Sequence, residues 1–319
     1  MSEPARVVDD PGQAIAPARS AWWARALASL PLGALYALAR LLEFLAARVV
    51  PYRPAVVREN LSIAFPDLDA RALAALARRY YAGYADVMVE IVKAVSIEPE
   101  ALQERVELEN PGLLAGVLER GRPVIVMAAH QCNWEWMLLA LSQRLGYPLD
   151  AAYKPLVDPW AEREMRAIRT RFGARLVPAD RLLLDMMARR GVVRMIAMVA
   201  DQEPVASERR QWLRFLNRDS AFFTGAEEIA RRARYPVVFA GMERVSRGRY
   251  RVSFRLLWDA AEPLPAGAIT ERYAAVVEEQ IRRSPADWPW SHKRWRLRRA
   301  VPAGAESGPA DVVGSGRAG

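Results

Sequence analysis

The apolar positions of the chain change their spacing from one segment to the next, and those changes mark its elements. Residues 21–50 are the most apolar stretch. Ala26 to Ala39 carries no charge, and Arg25, Arg40, Glu43 and Arg48 flank or interrupt the run. From Val56 to Val95 the spacing is helical, with Leu73, Leu76, Tyr80 and Tyr81 recurring as core positions do. Pro66 ends a first helix there, Leu68-Asp69 leads into a second through Ala82, Gly83 reads as a break, and a third runs through Ala94. A short helix is predicted over 111–119.

Beyond it, short apolar runs alternate with helical segments. Strands are predicted at 124–129, 151–154, 174–177, 193–201, 236–243 and 250–257, the last two around the turn Ser246-Arg247-Gly248. Helices are predicted from Trp134, over 160–172, 181–190, 225–234 with Thr224 as N-cap, and 270–283. Such alternation predicts an α/β fold, a mixed and mostly parallel sheet flanked by helices with an antiparallel edge. Residues 1–18 read as a flexible lead and 303–319, rich in Gly, Ala and Ser, as a disordered tail. Between them lie a membrane-anchoring helix at 19–50 and one domain at 51–302. The uncharged run falls short of the roughly 20 apolar residues of a full span, and Trp22 and Trp23 beside Arg25 favour an interfacial or partly inserted anchor. A buried core helix is the plain alternative.

The strand at Val124 to Ala129 organises the rest. His130 falls at its end, Asn133 is a good N-cap, and Trp134-Glu135-Trp136 opens a helix. On one continuous helix His130 and Glu135 would lie about 140° apart, so they meet only if the chain turns between them. A carboxylate beside an imidazole fixes its tautomer and supports it as a general base. A second strand end carries two acids, Asp201 and Glu203, in Ala200-Asp201-Gln202-Glu203-Pro204, and both strand ends can open onto one cleft. A capping or salt-bridge role for these acids is the plain alternative. Lys154 follows another strand and could steady an oxyanion or a phosphate. Arg169 and Arg171 suit lipid phosphates or a solvated helix face alike.

Composition narrows the partners. At 52% hydrophobic residues the 319-residue chain can bury a sizeable core, and its net charge of +9 points to an anionic partner such as a membrane surface or an acidic protein. No nucleic-acid module is recognisable. The single cysteine, Cys132, excludes an internal disulfide. His130, Cys132 and His292 lack zinc-ligand spacing, and no Gly-rich phosphate loop or Gly-x-Ser-x-Gly elbow appears, so no metal or cofactor is implied. The chain does not open as a secretory signal peptide does.

The segment His130-Gln131-Cys132-Asn133-Trp134-Glu135 resembles the His-x4-acid motif of the glycerolipid acyltransferase superfamily. Val57 to Leu68, Tyr153 to Pro155, Ala200 to Pro204, Phe222 to Arg231 and Ser284 to Trp295 resemble, in order, segments of the late acyltransferases of lipid A biosynthesis. The likeness covers about residues 20–300, with Lys154 where that family commonly carries Arg. It implies a glycerol-phosphate-acyltransferase-like fold anchored at the cytoplasmic face of the inner membrane. It also implies transfer of an acyl chain from an acyl carrier protein to a hydroxyl of a lipid A precursor, with membrane lipids as further partners. In that reading His130 is the base and Glu135 orients it, while Lys154, Arg171, Asp201, Glu203 and Thr224 serve substrate or oxyanion. An acyl-CoA donor or another glycolipid acceptor stays open. The pattern around His292 suggests a structural or substrate-positioning role.

Overall fold

The computed structural model describes residues 20–48, 52–205 and 207–299; the expected flexible lead at 1–18 and tail at 303–319 lie outside them. The apolar N-terminal stretch forms two helices, α1 (Trp22–Ser29) and α2 (Leu32–Arg48), rather than the single helix expected. Pro31 has no amide hydrogen and bars Leu30 from helical geometry, and Leu30 is extended at φ −61, ψ 146. The two helices meet at 105°. No single described helix is long and apolar enough to cross a membrane, though this bent pair passes that test by length and composition. Lys93 donates to the carbonyls of Ala28 (2.8 Å) and Leu30 (3.1 Å), which fixes the corner.

α3 (Pro54–Ala64) is followed by α4 (Ala70–Lys93), capped by the Asp69 carboxylate on the Ala72 amide at 2.7 Å. α4 runs unbroken through Gly83. One interior glycine costs a helix only about 1 kcal/mol. Burial of Leu76, Tyr80, Val87 and Val89 along α4 outweighs that. α5 (Pro99–Arg105), β1 (Val106–Leu108) and α6 (Pro111–Leu118) lead into the α/β core. There β2 (Val124–Ala128), α7 (Trp134–Arg144), β3 (Leu149–Tyr153), α8 (Pro159–Arg169), β4 (Arg175–Pro178), α9 (Leu182–Ala188) and β5 (Met195–Val199) alternate as predicted.

A two-stranded hairpin, β6 (Arg210–Phe215) and β7 (Arg218–Phe223), precedes α10 (Gly225–Ala233). β8 (Val237–Ser246) and β9 (Arg249–Trp258) pair antiparallel, and α11 (Ala268–Arg283) ends the regular structure but for a 3-10 turn at Pro285–Asp287. The main sheet has seven strands in the order β1-β9-β8-β2-β5-β3-β4, parallel except where β8 meets β9. α3, α4, α10 and α11 contribute to the apolar layer on one face, and α5 to α8 to the layer on the other. α2 packs on α4 through Leu35, Ala39 and Val89. Its Tyr36 hydroxyl lies 2.1 Å from where a Cβ on Gly248 would be. The β8–β9 turn therefore accepts only glycine there, which φ +67 also favours.

Candidate active site

β2 and β5 are parallel neighbours with Ala128 beside Val199. Each chain continues for two residues past that pair, so the register brings His130 beside Asp201. The imidazole Nδ1 lies 2.7 Å from Asp201 Oδ1. The His130 amide donates to Asp201 Oδ2 at 3.1 Å, and the Trp288 indole donates to the same oxygen at 2.9 Å. The Asp201 side chain is fully buried, whereas that of His130 is 23% exposed. Burial alone would raise the Asp201 carboxyl. The neighbouring imidazole and the three hydrogen bonds outweigh it and hold the carboxyl below the usual carboxylate range. Arg294 donates to the Asp201 carbonyl at 2.7 Å and lies over the Phe222 ring at 4.7 Å, and burial lowers its guanidinium to about 10. Much of the closing aromatic and basic segment thus serves to seat Asp201.

The turn from β2 into α7 is narrow. Cys132 takes φ +56 and its amide donates to the Asp287 carbonyl at 2.9 Å. Asn133 caps α7 as expected, its Oδ1 accepting from the Trp136 amide at 3.0 Å. Glu135 then lies in the first turn of α7 without a hydrogen bond to His130, which corrects the expected pairing. Its carboxylate takes a guanidinium fork from Arg169, with Nε 2.9 Å from Oε2 and Nη2 2.5 Å from Oε1, and the Trp134 indole donates to it at 3.0 Å. The turn that lets the chain double back also rotates Glu135 toward the end of α8.

His130, Glu135 and Arg169 line one cavity of about 410 Å³. Its inner wall is apolar and runs between α7 and the sheet through Val126, Met137, Leu141, Leu176 and Ala240. Lys154, Glu203 and Glu208 also line it. The site therefore combines a carboxylate-backed imidazole with a deep apolar slot, which suits proton removal beside a long hydrocarbon chain.

A model of the bacterial lipid A biosynthesis acyltransferase family matches residues 11–297. The chain belongs to that family. It is thus an O-acyltransferase, and no curated protein matches it.

Other expected site residues of the enzyme divide sharply. The Lys154 side chain is 64% exposed and its ammonium pairs with Glu208 at 2.7 Å. Glu203 accepts from the Leu297 amide at 2.6 Å and from Arg296 at 3.1 Å, strapping the C-terminal segment to the cavity rim. Arg171 is directed elsewhere: it donates to the carbonyls of Ala94 and Ile97 and stacks on Phe172, which anchors the loop after α4. Thr224 sits at the N-cap position of α10, but its hydroxyl donates to Glu228 at 2.9 Å instead of capping a backbone amide. His292 is half-buried with Nε2 unpartnered, and burial lowers its imidazole to about 4. Among the described residues no three His, Cys, Asp or Glu side chains are grouped to hold a metal ion. Sequence reasoning missed the Arg169–Glu135 pair and the roles of Trp288 and Arg294, for which no local spacing gives a signal.

Proposed function

We propose that the enzyme moves a fatty acyl group from an acyl carrier protein thioester to a free hydroxyl of a lipid A precursor, with His130 as general base. The observation that carries this reading is the buried Asp201 carboxylate on His130 Nδ1. It fixes the tautomer that leaves Nε2 free to accept a proton, and it stabilises the imidazolium that results. The orienting role expected of Glu135 passes to Asp201. Glu135 instead fixes Arg169 in the cavity wall.

The acceptor oxygen attacks the thioester carbonyl as its proton passes to Nε2. The tetrahedral adduct collapses with loss of the thiolate, which recovers the proton from the imidazolium. The acyl chain lies in the apolar slot. Lys154, exposed at the mouth, meets the phosphate of the carrier's prosthetic arm. Exposed Leu156, Val157 and Trp160, with Trp23 stacked on Trp160 at 5.1 Å, support seating on the cytoplasmic face of the inner membrane. Mass spectrometry of lipid A from a deletion strain tests the acceptor: loss of one secondary acyl chain is expected. An unchanged lipid A would move the assignment to another glycolipid.

A further inference from the structure

Glu90, on α4, is fully buried and belongs to no salt bridge among the described residues. Three neutral donors converge on its carboxylate: the Tyr36 hydroxyl of α2 at 2.8 Å, the Asn133 amide nitrogen at 2.9 Å and the Tyr250 hydroxyl of β9 at 2.6 Å. Its backbone carbonyl also accepts from the Trp136 indole at 3.0 Å. Arg244, the cation whose charge acts on the carboxylate, lies over the Tyr250 ring and is committed to Asp287 at 2.8 Å. Burying a carboxylate with only neutral partners is costly, and apolar packing would have been a cheaper way to join these helices. Burial pushes the Glu90 carboxyl up and its three donors pull it back down. What the ionised carboxylate supplies is direction, because it only accepts and so fixes which way each donor points.

The direction matters most at Asn133. With Nδ2 held by Glu90, the amide must turn Oδ1 to the Trp136 amide, which is the cap that starts α7. Asn133 lies three residues after His130 across the turn that contains the strained Cys132. The same carboxylate reaches Tyr36 of α2, whose ring carries the Arg247 guanidinium at 4.2 Å.

We propose that Glu90 is a positioning residue for acyl transfer: it sets the His130–Asn133 turn from behind and ties that turn to the seating of α2 through Tyr36. The proposal rests on the reading of His130 as base. The chain has two histidines, so imidazole NMR on selectively labelled, full-length enzyme in detergent micelles observes His130 directly, with His292 as internal reference and His130→Ala giving the assignment. Glu90→Gln keeps the shape but replaces one acceptor with an NH2 donor, which must face either Tyr36 or Asn133 with Tyr250 and so reverses one of the two links. It should lower kcat by about 10- to 100-fold, the scale of a misplaced catalytic group, with the KM for the acyl donor little changed, and should shift or broaden His130 but not His292. Adding Asn133→Asp restores a donor–acceptor pair and a good cap, and should recover most of the loss. Tyr36→Phe removes a single hydroxyl and should lower kcat by about 3- to 10-fold.

Wild-type kcat with an unmoved His130 signal in Glu90→Gln overturns the proposal. So does a loss shared by kcat and KM that Asn133→Asp fails to recover. Should Glu90→Gln not fold, Tyr36→Phe decides, and unchanged kcat in it overturns the link. Activity surviving in His130→Ala would sink the base assignment alone, since the NMR positions are read without turnover.

Discussion

Two buried carboxylates sit close to one cavity, Glu135 in its lining and Asp201 behind His130, and they live under different rules. Asp201, at the end of β5, is held by an imidazole, an indole and a backbone amide. Glu135, in the first turn of α7, is held by a guanidinium fork. The first has a partner whose ring nitrogen can take up a proton and give it back, whereas the second has one that never does. In the proposed mechanism the carboxylate clamped by arginine is a structural charge, and the one clamped by histidine orients the imidazole and stabilises the imidazolium without taking the proton itself. Nearness in sequence picks the wrong one, because five residues separate Glu135 from His130 and 71 separate Asp201 from it.

Mutation separates the two directly. His130→Ala should lower kcat by about 100- to 10,000-fold with the fold retained, measured as turnover of purified enzyme beside its thermal melt. Asp201→Asn, which removes the charge and keeps the shape, should cost about 100-fold, and its loss should fail to add to that of His130→Ala. If His130→Ala instead couples with Glu135→Gln and adds with Asp201→Asn, the two roles are reversed. Glu135→Gln should show chiefly in stability, losing about 1–3 kcal/mol in denaturant titration because the partly buried Arg169 is left without its counter-charge. Replacing both Glu135 and Arg169 by leucine and methionine should return much of that stability.

Acid offers a further contrast. His292 has a folded value near 4 against an ordinary value of 6.5. Between those pH values the unfolded chain binds more protons, so stability falls as pH drops from about 6.5 to about 4 and then levels for this group. Asp201, held below 3.8, contributes stability that is lost only at lower pH, as its carboxyl protonates. A His292→Gln enzyme should flatten the upper part of the melting-temperature profile and leave the lower part. The smallest effect is expected at Lys154–Glu208. Breaking so exposed a pair should alter stability by less than about 1 kcal/mol. Added salt should still raise the KM for a carrier-bound acyl donor more than for acyl-CoA. Equal salt dependence for both would remove the case for a carrier docking face.

What was legible in the sequence was local. Val124–Ala128 announces a strand by its side chains, and Asn133 announces a cap by its amide. Both Asp201 and Glu135 could be named as cleft acids. Their partners could not, because the pairing follows from the register of β2 on β5 and from where α8 ends. Pro31 stood in plain view, but the uncharged run around it outweighed its meaning. Gly83 reads as a break by propensity, which ignores the packing of α4. The β6–β7 hairpin turns on Leu216 and Asn217, both at positive φ, and leucine there gives no turn signal.

The seat of Tyr36 has a consequence for the order in which the molecule is made. Arg247 donates to the Tyr36 carbonyl across 211 residues of chain, and Gly248 closes the same socket. At about 5–20 residues per second, a ribosome takes about 10–40 s to synthesise that interval. Throughout it α2 exists without the hairpin that receives it, and Leu41 and Leu45 are exposed even in the finished fold. On the proposed membrane seating, birth order favours lipid over the protein interior as the first surface this helix finds, and the catalytic domain then assembles onto a segment already delivered to its address.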